Sequence, residues 1–254
     1  MSDWDAELYL KFEMQRTQPA IDLANRIKGC SLKKVADIGC GPGNSTAILK
    51  SLFPDADIEG IDNSQNMVEK AQNSYKGIRF RLCDIHGLES GYDLLFSNAC
   101  LQWVPNHESL LPELMQKLNP GGLLAVQIPM NGNEPLYQII TDVASAPKWN
   151  LNHTCFETNK VLSPNKYMDI LSICASDFQI WETAYYHRIP SHRALVDWVR
   201  GTRLRPYLAE LDEKKALEFE GEILNRAVAA YPVMRNGEVV LRFNRLFFIA
   251  SKSK

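Results

Sequence analysis

The sequence predicts a doubly wound α/β fold built around a mostly parallel sheet of seven strands. Two observations carry this expectation. Five short apolar runs alternate with helix-period segments between residues 33 and 128, and the first run ends in a glycine-rich turn that opens directly into a helix. Ile21, Leu23, Ala24 and Ile27 recur at near-helical spacing after Pro19, which is read as a tolerated first-turn proline. Lys33 to Ile38 is the first strand, and Ile48, Leu49 and Leu52 restore the helical period. Asp57 to Ile61 reads as a strand, Ser64 to Tyr75 as a helix with Ser64 as its N-cap, and Ile78 to Cys83 as a third strand. Tyr92 to Ser97 is too short for a helix and gives the fourth. A helix carrying Leu110, Leu111, Leu114, Met115 and Leu118 follows, delayed or kinked by Pro112 and stopped by Asn119-Pro120-Gly121-Gly122. Leu123 to Ile128 is the fifth strand.

Beyond Pro129 the rhythm changes. One helix is expected over Pro135 to Ala144, a loop or lid over Pro147 to Asn159, and another helix over Tyr167 to Cys174. Phe178 to Ile189 alternates like a strand, and Val239 to Ala250 is the closing one. Between them, Ser191 to Tyr231 is a helical block. The expected organisation is therefore an N-terminal cap and helix at 1–30, an α/β domain formed by 31–190 with 239–254, and a helical substrate-cap insertion at 191–238.

Composition narrows the function classes. A net charge of −2 with 45% hydrophobic and 23% charged residues describes an ordinary folded chain and gives no general attraction for nucleic acid or an anionic membrane. No uncharged apolar run reaches the roughly eighteen residues of a membrane span, and Met1 to Phe12 has no signal-peptide pattern, so a cytoplasmic protein is expected. The six cysteines contain no C-x-x-C pair, and the five histidines have no ligand spacing. Free thiols and no metal are the expectation.

The sharpest motif is Asp37-Ile38-Gly39-Cys40-Gly41-Pro42-Gly43-Asn44, at the turn from first strand to first helix. Its spacing is G-x-G-x-G after an acid, whereas a dinucleotide fingerprint is G-x-G-x-x-G, so no pyrophosphate cradle is implied. Asp62 ends the second strand, 19 residues past Gly43, where a carboxylate accepts ribose hydroxyls. Asp84 ends the third strand, placed either to meet an adenine amino group or to cap a helix. An acid-lined crevice suits a positively charged sulfonium nucleoside better than a phosphate.

These residues, with Ser97-Asn98 and Asn119-Pro120-Gly121-Gly122, resemble the class I S-adenosylmethionine methyltransferases, which have a Rossmann-like fold. The resemblance implies S-adenosyl-L-methionine as cofactor and a binding set of Asp37, Gly39, Cys40, Gly41, Gly43, Asp62, Asn63, Met67, Asp84, Ile85, Asn98 and Arg16. The glycines would underlie the methionine part, Asp62 would hold ribose, and Asp84 with Ile85 would meet adenine. The family pattern also implies a last strand that is antiparallel at the sheet edge.

Over nearly the whole chain the sequence is similar to the trans-aconitate 2-methyltransferase family. The likeness is carried by Ser2-Asp3-Trp4, Tyr9 to Phe12, Arg16, Asn98 to Trp103, Tyr185 to Ser191, Asp197-Trp198-Val199, Leu204 to Tyr207 and Arg245-Leu246-Phe247. It implies methyl-ester formation on a small polycarboxylic acid, with the N-terminal aromatics folded over the cofactor or packed structurally. A carboxylate is already ionised at neutral pH, so a positioning mechanism with no catalytic base suffices. Arginines suit the carboxylates that do not react. Candidate substrate residues are Tyr186, His187, Arg205, Arg245 and Gln102, with Arg203, Arg242 and Arg188 as alternates. His187 is equally readable as a hydrogen-bonded core residue. The competing functions are carboxyl methylation of a malonyl group on acyl-carrier protein and cofactor binding without catalysis.

Overall fold

The computed structural model describes residues 13–151 and 161–254, with side chains described from residue 17 onward within them. Seven strands form one sheet: β1 (Lys34–Ile38), β2 (Asp57–Asp62), β3 (Arg79–Leu82), β4 (Tyr92–Asn98), β5 (Leu118–Pro129), β6 (Asp177–Ile189) and β7 (Val239–Ser251). Their order across the sheet is β3-β2-β1-β4-β5-β7-β6. Strands β1 to β5 pair in parallel, while β7 runs antiparallel to both β5 and β6. The closing strand is thus antiparallel, as expected, but it lies inside the sheet. The edge belongs to β6.

The strand period of two sends neighbouring residues to opposite faces. Val35, Leu94, Phe96, Ala125 and Phe247 face one side, where α1 (Glu13–Arg26) and α2 (Asn44–Leu52) contribute Leu23, Ala24 and Leu49, with Ile27 just past the end of α1. Ala36, Leu95, Val126, Leu246 and Phe248 face the other, against α4 (His107–Lys117) and α6 (Pro164–Cys174), the helix α3 (Gln65–Ser74) lying between α2 and α4 in the chain. Each face is closed by aliphatic and aromatic packing. A fully buried leucine on either contributes about 1.5–3 kcal/mol relative to exposure.

Local expectations need two corrections. Helix α1 reaches back at least to Glu13, so Pro19 sits inside it rather than in its first turn. Tertiary burial of Ala20, Leu23 and Ala24 holds that helix together across the hydrogen bond that proline cannot donate. The Asn119–Gly122 stretch stops α4 as expected, but it already belongs to β5. There Asn119 donates from Nδ2 to the Gly91 carbonyl and to Asp93 Oδ1 at 2.7 Å, and the register shifts between Tyr92 and Leu94. Pairing across a bulge made this segment look like a loop.

Chain beyond the sheet forms a second core. Helix α5 (Pro135–Ser145), α7 (His192–Val199), a π-helical turn at Arg200–Leu204, α8 (Arg205–Ala209) and α9 (Glu213–Ala230) bury Ile140, Val143, Leu195, Tyr207, Phe219 and Ile223 together. Of the expected lid at 147–159, residues 152–159 lie outside the described chain. Its start is packed: Trp149 is buried edge-on against Phe219 and donates to Glu222 Oε2 at 2.9 Å. Among the described residues, no helix is long and apolar enough to cross a membrane.

Candidate active site

A cavity of about 1190 Å³ opens over the C-terminal ends of the parallel strands, where open α/β sheets place their ligand crevices. Ile38, Asp62, Asn98 and Pro129 line it from the ends of β1, β2, β4 and β5, and Asp84 from just beyond β3. Trp198, Thr202, Arg203 and Arg205 form the facing wall, and Arg245 enters from β7. This volume exceeds the roughly 300–1,000 Å³ usual for one drug-sized ligand. It has room for a nucleoside and a small second molecule.

Gly39 and Gly43 are held at φ +68° and +97°, angles that L side chains rarely adopt. A Cβ on Gly39 would run into Cys100, and one on Gly43 would meet Tyr75 and Phe80 at 2.8 and 2.9 Å. Gly39 and Gly41 line the cavity, whereas Gly43 packs against α3 behind it. Asp62 fixes the loop, accepting from the Gly41 N–H on Oδ2 and the Ser64 N–H on Oδ1, each at 2.9 Å. Burial pushes its carboxyl above the usual range against those donors, so the site favours a positive partner.

Asp37 is placed differently from the expectation of direct contact. It is fully buried beneath the loop, where Oδ2 accepts from both Ser45 Oγ and Thr46 Oγ1 at 2.6 Å, tying β1 to the first turn of α2. Burial raises its pKa to about 6. Asp84 lines the cavity and also caps the short turn Ile85–Gly87 through the His86 N–H. Cys40, Asn63, Met67 and Ile85 all line the cavity. Arg16 lies on α1, but its side chain is outside the described residues, as are Trp4, Tyr9 and Phe12.

The segment after β4 carries two features the sequence did not signal. Ala99 has φ +54°, a left-handed angle costing a non-glycine residue about 1–2 kcal/mol. Its N–H bonds the Gln127 carbonyl, and its own carbonyl takes Gln102 Nε2 at 2.6 Å. Beneath it His107 is buried: its Nε2 donates to the Leu101 carbonyl at 2.8 Å, which leaves Nδ1 to accept from Tyr167 Oη at 2.6 Å. The histidine therefore locks the turn that presents Gln102 and Trp103 to the cavity. Asn98 Oδ1 and Gln102 Oε1 are buried with no hydrogen-bond partner among the described residues. Burial pushes the Cys100 thiol up to about 12 and Cys40 higher still, so neither is a thiolate nucleophile at neutral pH.

Of the substrate candidates, Gln102, Arg205 and Arg245 line the cavity and Tyr186 and His187 do not. Tyr186 is 67% exposed on β6, because the strand period points it away from the core. His187 is a core residue stacked on Trp198 at 5.0 Å, its Nε2 lacking a partner among the described residues. Desolvation by burial, aided by nearby Arg245, depresses its pKa to about 4. Arg245 is only 4% exposed, with Nη1 donating to Gln127 Oε1 at 3.3 Å and its guanidinium over the Phe243 ring. Arg203, an alternate by sequence, leans on α5 through Thr141 and Tyr137, and its Nε is buried with no partner among the described residues. Arg188 pairs with Glu238 on the surface, and Arg242 is exposed.

The crevice fits S-adenosylmethionine on its own evidence. Buried acceptors at Asn98 and Gln102 await donors, Asp62 and Asp84 supply negative charge, and space opens above Gly41 where a Cβ would meet nothing. A methyltransferase domain model matches residues 31–193. The fold is shared with the YcgJ protein of Bacillus subtilis, at TM-score 0.60 and 13% identity over 93% of this chain and 99% of that one. It is shared too with Haemonchus contortus phosphoethanolamine N-methyltransferase 2 in complex with S-adenosyl-L-methionine, at TM-score 0.58 and 16% identity, covering 93% of this chain and 53% of that one. Fold and site together define an S-adenosylmethionine-dependent methyltransferase. The chain is 41% identical over 254 residues to a trans-aconitate 2-methyltransferase of Escherichia coli O139:H28, covering 99% of each sequence. It belongs to the trans-aconitate 2-methyltransferase family.

Proposed function

We propose that this enzyme forms the monomethyl ester of a small polycarboxylic acid, trans-aconitate, acting in the cytoplasm, where its free thiols stay reduced. The observation that carries the reading is the meeting of three arginines, Arg203, Arg205 and Arg245, in the same cavity as Asp62 and Asp84. A crevice negative at one end and cationic at the other suits a cationic cofactor beside a polyanionic acceptor. The names of the full-length relatives support the acid chosen.

When bound, S-adenosylmethionine supplies an electrophilic methyl group on a positively charged sulfur. Asp62 would hold the ribose hydroxyls, Asp84 and Ile85 the adenine, and the Gly39–Gly41 backbone the amino-acid part, with Asn98 and Gln102 accepting from its donors. The guanidinium groups hold the non-reacting carboxylates by two-point contacts and aim the remaining one along the displacement axis. Arg245, buried and braced by Gln127 and Phe243, is the most rigid of the three. The acceptor oxygen is ionised before it arrives, so no side chain has to take a proton. Trp198, Tyr137 and Phe243 line the wall and exclude water.

Incubation of the purified protein with S-adenosylmethionine and trans-aconitate, followed by mass spectrometry, tests this reading. A monomethyl ester with stoichiometric S-adenosylhomocysteine is expected. Absence of ester, with cofactor binding intact by calorimetry, overturns the substrate assignment.

A further inference from the structure

Arg203 reaches the cavity from a π-helical turn, Arg200–Leu204, inserted between α7 and α8, and Arg205 from the first residue of α8 directly after it. Such turns are rare and concentrate at functional sites. On an ordinary α-helix, residues two apart point about 200° away from each other. Here Gly201, Thr202 and Arg203 of the turn and Arg205 just after it all line one cavity, so the wider turn presents three consecutive residues to the ligand. Such a turn needs holding, because nothing in the ordinary α-helical ladder fixes its register.

The holding contact comes from Glu220 on α9. It is 1% exposed, a buried carboxylate among apolar neighbours, and two arginines reach it. Arg200 Nε, on the first residue of the π turn, lies 2.7 Å from Oε1, and Arg193 Nη2, in the first turn of α7, lies 2.8 Å from Oε2. Arg193 also approaches Asp197 at 3.3 Å within its own helix. Arg193 donates a hydrogen bond to Oε2, whereas Oε1 has no hydrogen bond among the described residues and meets Arg200 as a charge contact alone. An apolar residue often serves stability as well as a buried ion pair does, so stability alone does not account for Glu220.

We propose that Glu220 is a positioning residue: through Arg200 it fixes the π turn so that Arg203 and Arg205 meet the acid substrate in one register. The proposal rests on the reading of a polycarboxylate substrate given above. Arg200→Gln releases the turn, whereas Arg193→Gln removes the other half of the same ion-pair cluster and leaves the turn clamped. Both variants are expected to lose comparable thermal stability. Arg200→Gln raises KM for trans-aconitate on the order of tenfold, with kcat and the calorimetric Kd for S-adenosylhomocysteine near wild type, and Arg193→Gln leaves KM within about twofold. Equal KM changes in the two variants, or none in either, overturn the proposal and leave Glu220 a stability element. Hydrogen exchange of residues 198–206 reads the clamp without any substrate: faster exchange in Arg200→Gln alone supports it, and equal exchange in both variants overturns it. Failure of the wild type to esterify the acid would sink the substrate reading, while the exchange result still decides the clamp.

Discussion

Two buried titratable residues behave in opposite ways. Folded Asp37 keeps its proton up to about pH 6, while the free side chain releases it near 3.8, so stability is greatest below that window and is lost as pH rises through it. Asp37→Asn keeps an acceptor for Ser45 and Thr46 and removes the cost of the charge. Thermal melts should show it more stable than the wild type at pH 7, by as much as about 3 kcal/mol, with the difference fading towards pH 4. His187 has a pKa lowered to about 4 from 6.5, so its contribution is present above 6.5 and is lost as pH falls through 4. His187→Phe preserves the stack on Trp198 and should abolish that acid sensitivity in denaturant titrations at pH 5 and 7, with KM for the acid unchanged. A large KM increase would instead make His187 a substrate donor. Sequence showed these residues as chemically interesting but not where they point. Asp37 precedes a glycine loop and looks like a ligand residue; only the tertiary position of Ser45 and Thr46 turns its carboxylate inward. Tyr186 and His187 are adjacent, and one step along a strand separates solvent from core.

Elements with one dominant local signal were readable in advance. Ser64 caps α3 through the Met67 N–H, and the strand-turn-helix over Lys34–Leu52 follows from glycines set between two hydrophobic periods. Those with competing signals were not. Pro19 argued for a helix start and lies mid-helix; Asn119 to Gly122 argued for a loop and lies in a strand. The π turn has no periodic signature at all, since one extra residue in a helix leaves no mark in a pattern that short. Gly43 shows what local geometry demands: Gly43→Ala places a side chain at φ +97° against Tyr75 and Phe80. We expect a loss of about 2–3 kcal/mol of stability in urea unfolding. Cofactor affinity should fall at least tenfold by calorimetry, because α3 must retreat from the loop.

At the scale of the molecule, the site is divided between two cores. The sheet supplies the acids and the helical block supplies Arg203 and Arg205, with Arg245 at the seam. Asp62→Ala and Arg205→Ala should therefore fail differently. The first removes the acceptor that holds the loop and should weaken S-adenosylhomocysteine binding on the order of a hundredfold. The second should raise KM for the acid about tenfold or more while the cofactor Kd stays within about twofold. If both variants lost cofactor affinity alike, the division would not hold. The order of the sheet also matters while the chain is being made. Strand β7 lies between β5 and β6 yet is translated after both, so the ribosome delivers the two outer partners before the strip that joins them. At about 5–20 residues per second, the roughly sixty residues from Ile189 to Ser251 take several seconds, during which the backbone N–H and C=O groups along two strand borders stand unpaired. Any neighbouring nascent chain with a free border can pair there first. Yield in a cell should therefore depend on how crowded the polysome is and on how quickly a chaperone reaches it.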